Sequence, residues 1–114
     1  MTEIRTGTSI VTLVNVFATT PENIDEFLKV ASAQTPKVVQ RPGCISANIH
    51  VSRDKLRVVN YAQWESEDAF MAMLADPELM EGRAAMEAIA KPDVHVYDVS
   101  AIYQGPAARN GGAA

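Results

Sequence analysis

A single cysteine and two histidines are the whole supply, in a chain of 114 residues, of the side chains that most often bind metals or form covalent intermediates. Cys44 alone excludes an internal disulfide. With neither histidine near it in sequence, it reads as a small packing hydrophobe rather than a nucleophile. His95 has no second ligand type at a usable spacing, so no metal site is expected. Positive charge is also sparse. Ten Lys and Arg stand against fourteen Asp and Glu, a formal charge of −4, and the absence of any basic cluster argues against nucleic acid or anionic lipid as partners. No apolar run approaches the roughly 20 residues of a membrane span, and Met1 to Arg5 lack the apolar core of a secretory signal, so a cytoplasmic protein is expected. The length predicts one domain over residues 1–104, and the small residues of 105–114 predict a disordered tail.

What the chain does contain is a regular alternation of strand and helix signals. Ser9–Ala18 is β-branched on both faces, as a central strand covered on both sides would be, with Asn15 interrupting it. Thr20-Pro21-Glu22 supplies a capping residue, a proline for the first turn and an acid. Ile24, Phe27, Leu28 and Ala31 then form a helical stripe, and this helix should close near Pro36 or one turn later. Arg41-Pro42-Gly43 is a break. A strand follows from Cys44 to Ser52, and a tight turn near Arg53-Asp54 leads into a second strand over Lys55–Trp64. Ser66 should cap a short helix bearing Phe70, Met73 and Leu74, and Asp76-Pro77-Glu78 should start another that runs to about Ala90, with Pro92 ending it. Val94–Tyr103 is the last predicted strand. The order is β-α-β-β-α-β, an α+β ferredoxin-like pattern with an antiparallel sheet whose first and third strands lie in the middle. Helices cover one face of such a sheet, yet the first strand is apolar on both, so a second copy of the chain is the expected cover.

Candidate site residues stand out against this pattern. The period of two puts Leu56, Val58, Asn60, Ala62 and Trp64 on one side of their strand, which is apolar except for one amide and one indole. A buried amide without a partner costs about 1–3 kcal/mol, and an indole N–H needs an acceptor. Two readings are open: a pocket wall, or a core Asn satisfied by backbone beside a packing Trp. Asn15 is expected on the adjacent strand, with a polar residue at a strand end as its alternative. Arg83 shares the stripe of Leu79, Met86 and Ala90, so its stem should lie toward the sheet, its head either entering a cavity or in solvent. His50 lies near the end of the hairpin, where one residue of turn length decides its face.

Asn15, Pro42-Gly43-Cys44, Asn60-Tyr-Ala-Gln-Trp64 with Glu65-Ser66, and the paired short helices after them resemble the antibiotic biosynthesis monooxygenase family over residues 8 to 104. The Asn-Asn-Trp set is similar to that of its cofactor-independent anthrone oxygenases. The resemblance implies a dimeric α+β barrel and oxidation of an anthrone-like small aromatic to a quinone with dioxygen, with no metal or flavin. It implies that Asn15, Asn60 and Trp64 act on the substrate while Arg83, His50 and Phe70 help bind it. Phe70 stands where some relatives place a tyrosine, which removes a phenol from proton transfer. A haem-degrading oxygenase of the same fold would match Asn15 and Trp64 too, but such relatives carry a haem-ligating histidine after the third strand, and Ser66–Ala90 contains none. A non-catalytic ligand-binding module is the alternative from another class.

Overall fold

The computed structural model describes residues 2–110. Its elements are β1 (Val11–Ala18), α1 (Ile24–Val38), β2 (Cys44–Val51), β3 (Arg57–Trp64), α2 (Glu67–Leu74), α3 (Pro77–Glu87), β4 (Lys91–Tyr97) and α4 (Pro106–Asn110). The strands form one sheet in the order β2-β3-β1-β4, and every neighbouring pair is antiparallel. This is the ferredoxin-like α+β arrangement that the element order predicts, with β1 and β3 central.

The caps of the short helices act as their residue types suggest. Ser66 Oγ accepts from the Ala69 N–H at 3.1 Å, and Asp76 Oδ1 accepts from the Glu78 N–H at 2.9 Å beside Pro77 in the first turn of α3. The other carboxylate oxygen of Asp76 pairs with Arg41 and ties the turn before β2 to the start of α3.

Several boundaries differ from expectation, the first through a local turn and others through strand pairing. The Thr20 carbonyl accepts from both Asn23 and Ile24, so Thr20–Asn23 is a turn and α1 begins only at Ile24. α3 runs to Glu87 rather than to about Ala90: the Met86 carbonyl accepts from both Ile89 and Ala90 in a tightened last turn, after which Ala90 is buried and Lys91 pairs with Ala18. Pro92 therefore sits inside β4 opposite Phe17, where an edge strand tolerates the missing donor. β4 in turn ends at Tyr97 rather than Tyr103, since its pairing with β1 runs out at Thr12↔Tyr97. Of the segment predicted as a disordered tail, Pro106–Asn110 forms the short helix α4, and residues 111–114 lie outside the described residues.

The helix-covered face of the sheet carries two separate apolar clusters. One gathers Phe17, Ile24, Phe27, Ala31, Val58 and Ala90; the other gathers Val11, Leu13, Ala62, Trp64 and Phe70. Between them run Asn15 and Asn60. The opposite face is not bare in a single chain. Thr2–Ile4 lie along part of it, where the buried Gln63 donates from Nε2 to the Glu3 carbonyl at 2.6 Å and Asn48 donates to Thr2 Oγ1 at 3.2 Å. Val14 and Val16 of β1 remain half-buried there. Among the described residues no helix is long and apolar enough to cross a membrane.

Candidate active site

Asn15 and Asn60 are direct partners across β1 and β3, one row between Leu13↔Ala62 and Phe17↔Val58. Opposed residues in an antiparallel pair have Cβ atoms about 4.5–5.5 Å apart, so the two carboxamides leave the sheet side by side. Both Oδ1 atoms are buried and have no hydrogen-bond partner within the protein, and the same holds for Trp64 Nε1. Trp64 itself is 1% exposed and meets the edge of Phe70 with ring centroids 5.9 Å apart. An orphaned buried polar group costs about 1–3 kcal/mol, and a native fold carries few. Three of the five such side-chain atoms among the described residues lie on one face of two adjacent strands, which makes that face the candidate binding surface.

The three residues border a cavity of about 100 Å³ between sheet and helices. Leu13, Asn15, Asn60, Ala62 and Trp64 make its floor, Gln34, Thr35 and Val38 of α1 one wall, and Phe70, Met73, Met80, Arg83 and Met86 of α2 and α3 its cover. Most of this lining is apolar, as small-molecule sites generally are, with a few polar groups that converge.

Cys44 borders the cavity as well. A bulge between Cys44 and Ser46 sets Cys44 opposite Trp64. Burial pushes its thiol above the ordinary range, only partly offset by a backbone hydrogen bond with Ser46, so it stays protonated near neutral pH.

The other predicted residues divide. Phe70 lines the cavity as a flat apolar wall. Arg83 lines it with its stem, while its Nε donates to Glu87 Oε1 at 2.9 Å, one turn along α3, with the side chain about one-third exposed. The head is thus engaged at the rim. His50 does not belong to the site. It pairs with Val59, one residue out of phase with Asn60, so it projects from the opposite face of the sheet and is exposed there, its Nδ1 3.3 Å from the Asn48 carbonyl. The register of the hairpin decides this. Leu56, grouped with the pocket strand by alternation, lies instead in the turn before β3 and is 42% exposed. His95 also projects from the outer face, where its Nε2 lies 2.9 Å from Asp93 Oδ1.

Gln34 went unnoticed in the sequence although a signal was present. It continues the stripe of Ile24, Phe27 and Ala31 at helical spacing, a polar residue on an apolar face. The methionines gave no such signal, because at helical spacing they look like ordinary core.

A ferredoxin-like sheet with an apolar cavity under its helices, lined by two asparagines and a tryptophan whose buried polar atoms lack partners, has the makings of a small-molecule site. The family described as antibiotic biosynthesis monooxygenase matches residues 10–85. The chain is 40% identical over 93 residues to the tetracenomycin-F1 monooxygenase of Streptomyces glaucescens, an alignment that covers 81% of this chain and 83% of that one. Among solved structures, SnoaB, a cofactor-independent oxygenase from Streptomyces nogalater, superposes with a TM-score of 0.76 at 26% identity, covering 87% of this chain and 99% of that one. Rv0793 from Mycobacterium tuberculosis shares the fold, with a TM-score of 0.68 at 19% identity over 84% of this chain and 98% of that one. The chain belongs to the antibiotic biosynthesis monooxygenase family, and it is an oxygenase.

Proposed function

We propose that the protein oxidises an anthrone-like, hydroxylated polycyclic aromatic to the corresponding quinone with dioxygen, using neither metal nor flavin. The observation that carries this reading is that Asn15, Asn60 and Trp64 all line one apolar cavity while Asn15 Oδ1, Asn60 Oδ1 and Trp64 Nε1 are buried without a partner in the protein. The likeness to a tetracenomycin-F1 monooxygenase and to a cofactor-independent oxygenase supports it.

The chemistry asks little of the protein beyond placement. An anthrone methylene loses a proton to give an electron-rich phenolate, which passes an electron to dioxygen. The two radicals combine to a hydroperoxide, and loss of water leaves the quinone. One oxygen atom enters the product and the other leaves as water. Each carboxamide can present its oxygen to a substrate hydroxyl or its NH2 to the phenolate, and the indole N–H is a further donor. Fixed donors of this kind stabilise charge as it develops in a site from which water is excluded.

A cavity of about 100 Å³ is smaller than the roughly 300–1,000 Å³ of most ligand sites, so a polycycle has to widen it. Met73, Met80 and Met86 in the cover are the side chains suited to that, being unbranched and free to change rotamer. Both histidines lie on the outer face of the sheet, which places them away from any haem held in the cavity and weighs against the haem-degrading alternative. A homodimer packed through that outer face, working in the cytoplasm as a single domain over residues 1–104, completes the reading. It would cover Val14, Val16 and the 48%-exposed Tyr97.

Oxygen uptake with 1,8-dihydroxyanthrone is the test. The expected result is one dioxygen consumed per quinone formed, unchanged by a chelator, from a species that sediments at twice the chain mass. Activity lost on chelation and restored by Fe(II) would overturn the metal-free assignment. Binding without oxygen uptake would favour the non-catalytic module.

A further inference from the structure

Gly82 occupies the middle of α3, where glycine is less favourable than alanine because of the backbone freedom lost on folding. Its surroundings supply the reason. A Cβ built there would lie 2.0 Å from Gln34 Oε1, 2.3 Å from Gln34 Cδ and 2.9 Å from Gln34 Cγ. The missing side chain is a notch, and the carboxamide of Gln34, reaching across from α1, is seated in it. Both residues are set by the α1–α3 contact, and Gln34 borders the same cavity as the two asparagines and Trp64, from the helix side.

The cavity therefore has polar groups on two sides. Unpartnered amides and an indole lie on the sheet side, Gln34 lies on the helix side, and Leu13, Phe17, Met73 and Val94 are among the apolar residues that complete the lining. Arg83, next to the notch, has its guanidinium engaged by Glu87 and is a poorer candidate for a neutral oxygen. We infer that Gln34, seated in the Gly82 notch, is a specificity-determining binding residue that hydrogen-bonds a hydroxyl on an outer ring of the substrate, remote from Asn15 and Asn60. The enzyme then prefers polycycles that carry hydroxyls on their outer rings over those oxygenated only at the reacting ring. The choice of ligand rests on the function proposed above; the role of the notch rests on geometry alone.

The test separates binding from turnover. Trp64 is the chain's single tryptophan and borders the cavity, so quenching of its fluorescence reports occupancy. Two probes that do not turn over, 1,8-dihydroxyanthraquinone and unsubstituted 9,10-anthraquinone, are titrated into wild type, Gln34→Leu, Gly82→Ala and the double variant Gly82→Ala/Gln34→Ala. Loss of one neutral hydrogen bond predicts that Gln34→Leu weakens the dihydroxy probe about threefold to tenfold and leaves the unsubstituted one within about twofold. Gly82→Ala drives the amide into the cavity and weakens both probes. Removing that amide in the double variant restores the unsubstituted probe and not the dihydroxy one. Should Gln34→Leu not fold, Gln34→Met, of similar length and without the amide, carries the same comparison. Equal shifts for both probes, no shift for either, or no binding of either probe by wild type would overturn the inference. Wild type that discriminates between the probes yet consumes no oxygen with 1,8-dihydroxyanthrone would sink the proposed activity and leave the role of Gln34 standing.

Discussion

Two adjacent rows of the same sheet face, Phe17↔Val58 and Asn15↔Asn60, share their strands, their orientation and their pairing, and differ in what comes down on them from the helices. Over the first row sits Phe27, fully buried, its ring centroid 4.7 Å from that of Phe17. Val58 beneath it is fully buried as well. Over the second row lies the cavity, which both asparagines line, and their buried amide oxygens have no partner. Strand chemistry alone does not separate a row that stabilises the fold from a row that binds. The separation comes from the helix layer, which places an aromatic ring over one and leaves space over the other.

Substitutions should resolve the two rows by the sign and kind of their effects. The largest effect is expected at Phe27. Phe27→Ala should cost about 3–5 kcal/mol of stability in urea unfolding, and activity should fall only with the folded fraction. Next, Asn15→Ala/Asn60→Ala should lower the rate by at least about a hundredfold, as loss of a donor to a developing oxyanion does. Its stability should be unchanged or higher, because each buried amide oxygen lacks a partner that could be lost. A double variant that is active but unstable would assign the asparagines to the same structural role as Phe17 and Val58. The smallest effect is expected for Trp64→Phe, which keeps a flat apolar wall and removes the indole N–H. A rate loss of up to about tenfold with little change in stability would group Trp64 with the asparagines. A loss mainly in stability would group it with Phe27 instead.

The predictability of these residues from sequence follows how local their determinants are. Asn60 and Trp64 were legible because a strand with period two sorts its own side chains, and Asn15 because β1 and β3 must be neighbours in this topology. His50 was not. Its face depends on the β2–β3 register, with the turn residues Ser52–Leu56 between the strands. The end of α3 was misplaced because the helical pattern continues to Ala90, whereas the last turn tightens onto the Met86 carbonyl and Lys91 already pairs in β4. Gln34 was visible as a polar residue on an apolar stripe, but its role was not, since its notch lies 48 positions away on another helix.

By itself the sequence determined the order of elements, the two central strands, the caps at Ser66 and Asp76, and the presence of two amides and an indole on helix-facing strand positions. Each follows from backbone periodicity or from a side chain bonding its own local backbone, forces that act within a few residues. Only the tertiary structure decided that those polar groups would stay unpartnered beneath a cavity, that the head of Arg83 would be drawn to Glu87, and that Gln34 would lie in the space Gly82 leaves. Those outcomes depend on how three helices fill, and fail to fill, the volume above one sheet. Close packing of separate elements sets that volume, and no short stretch of chain encodes it.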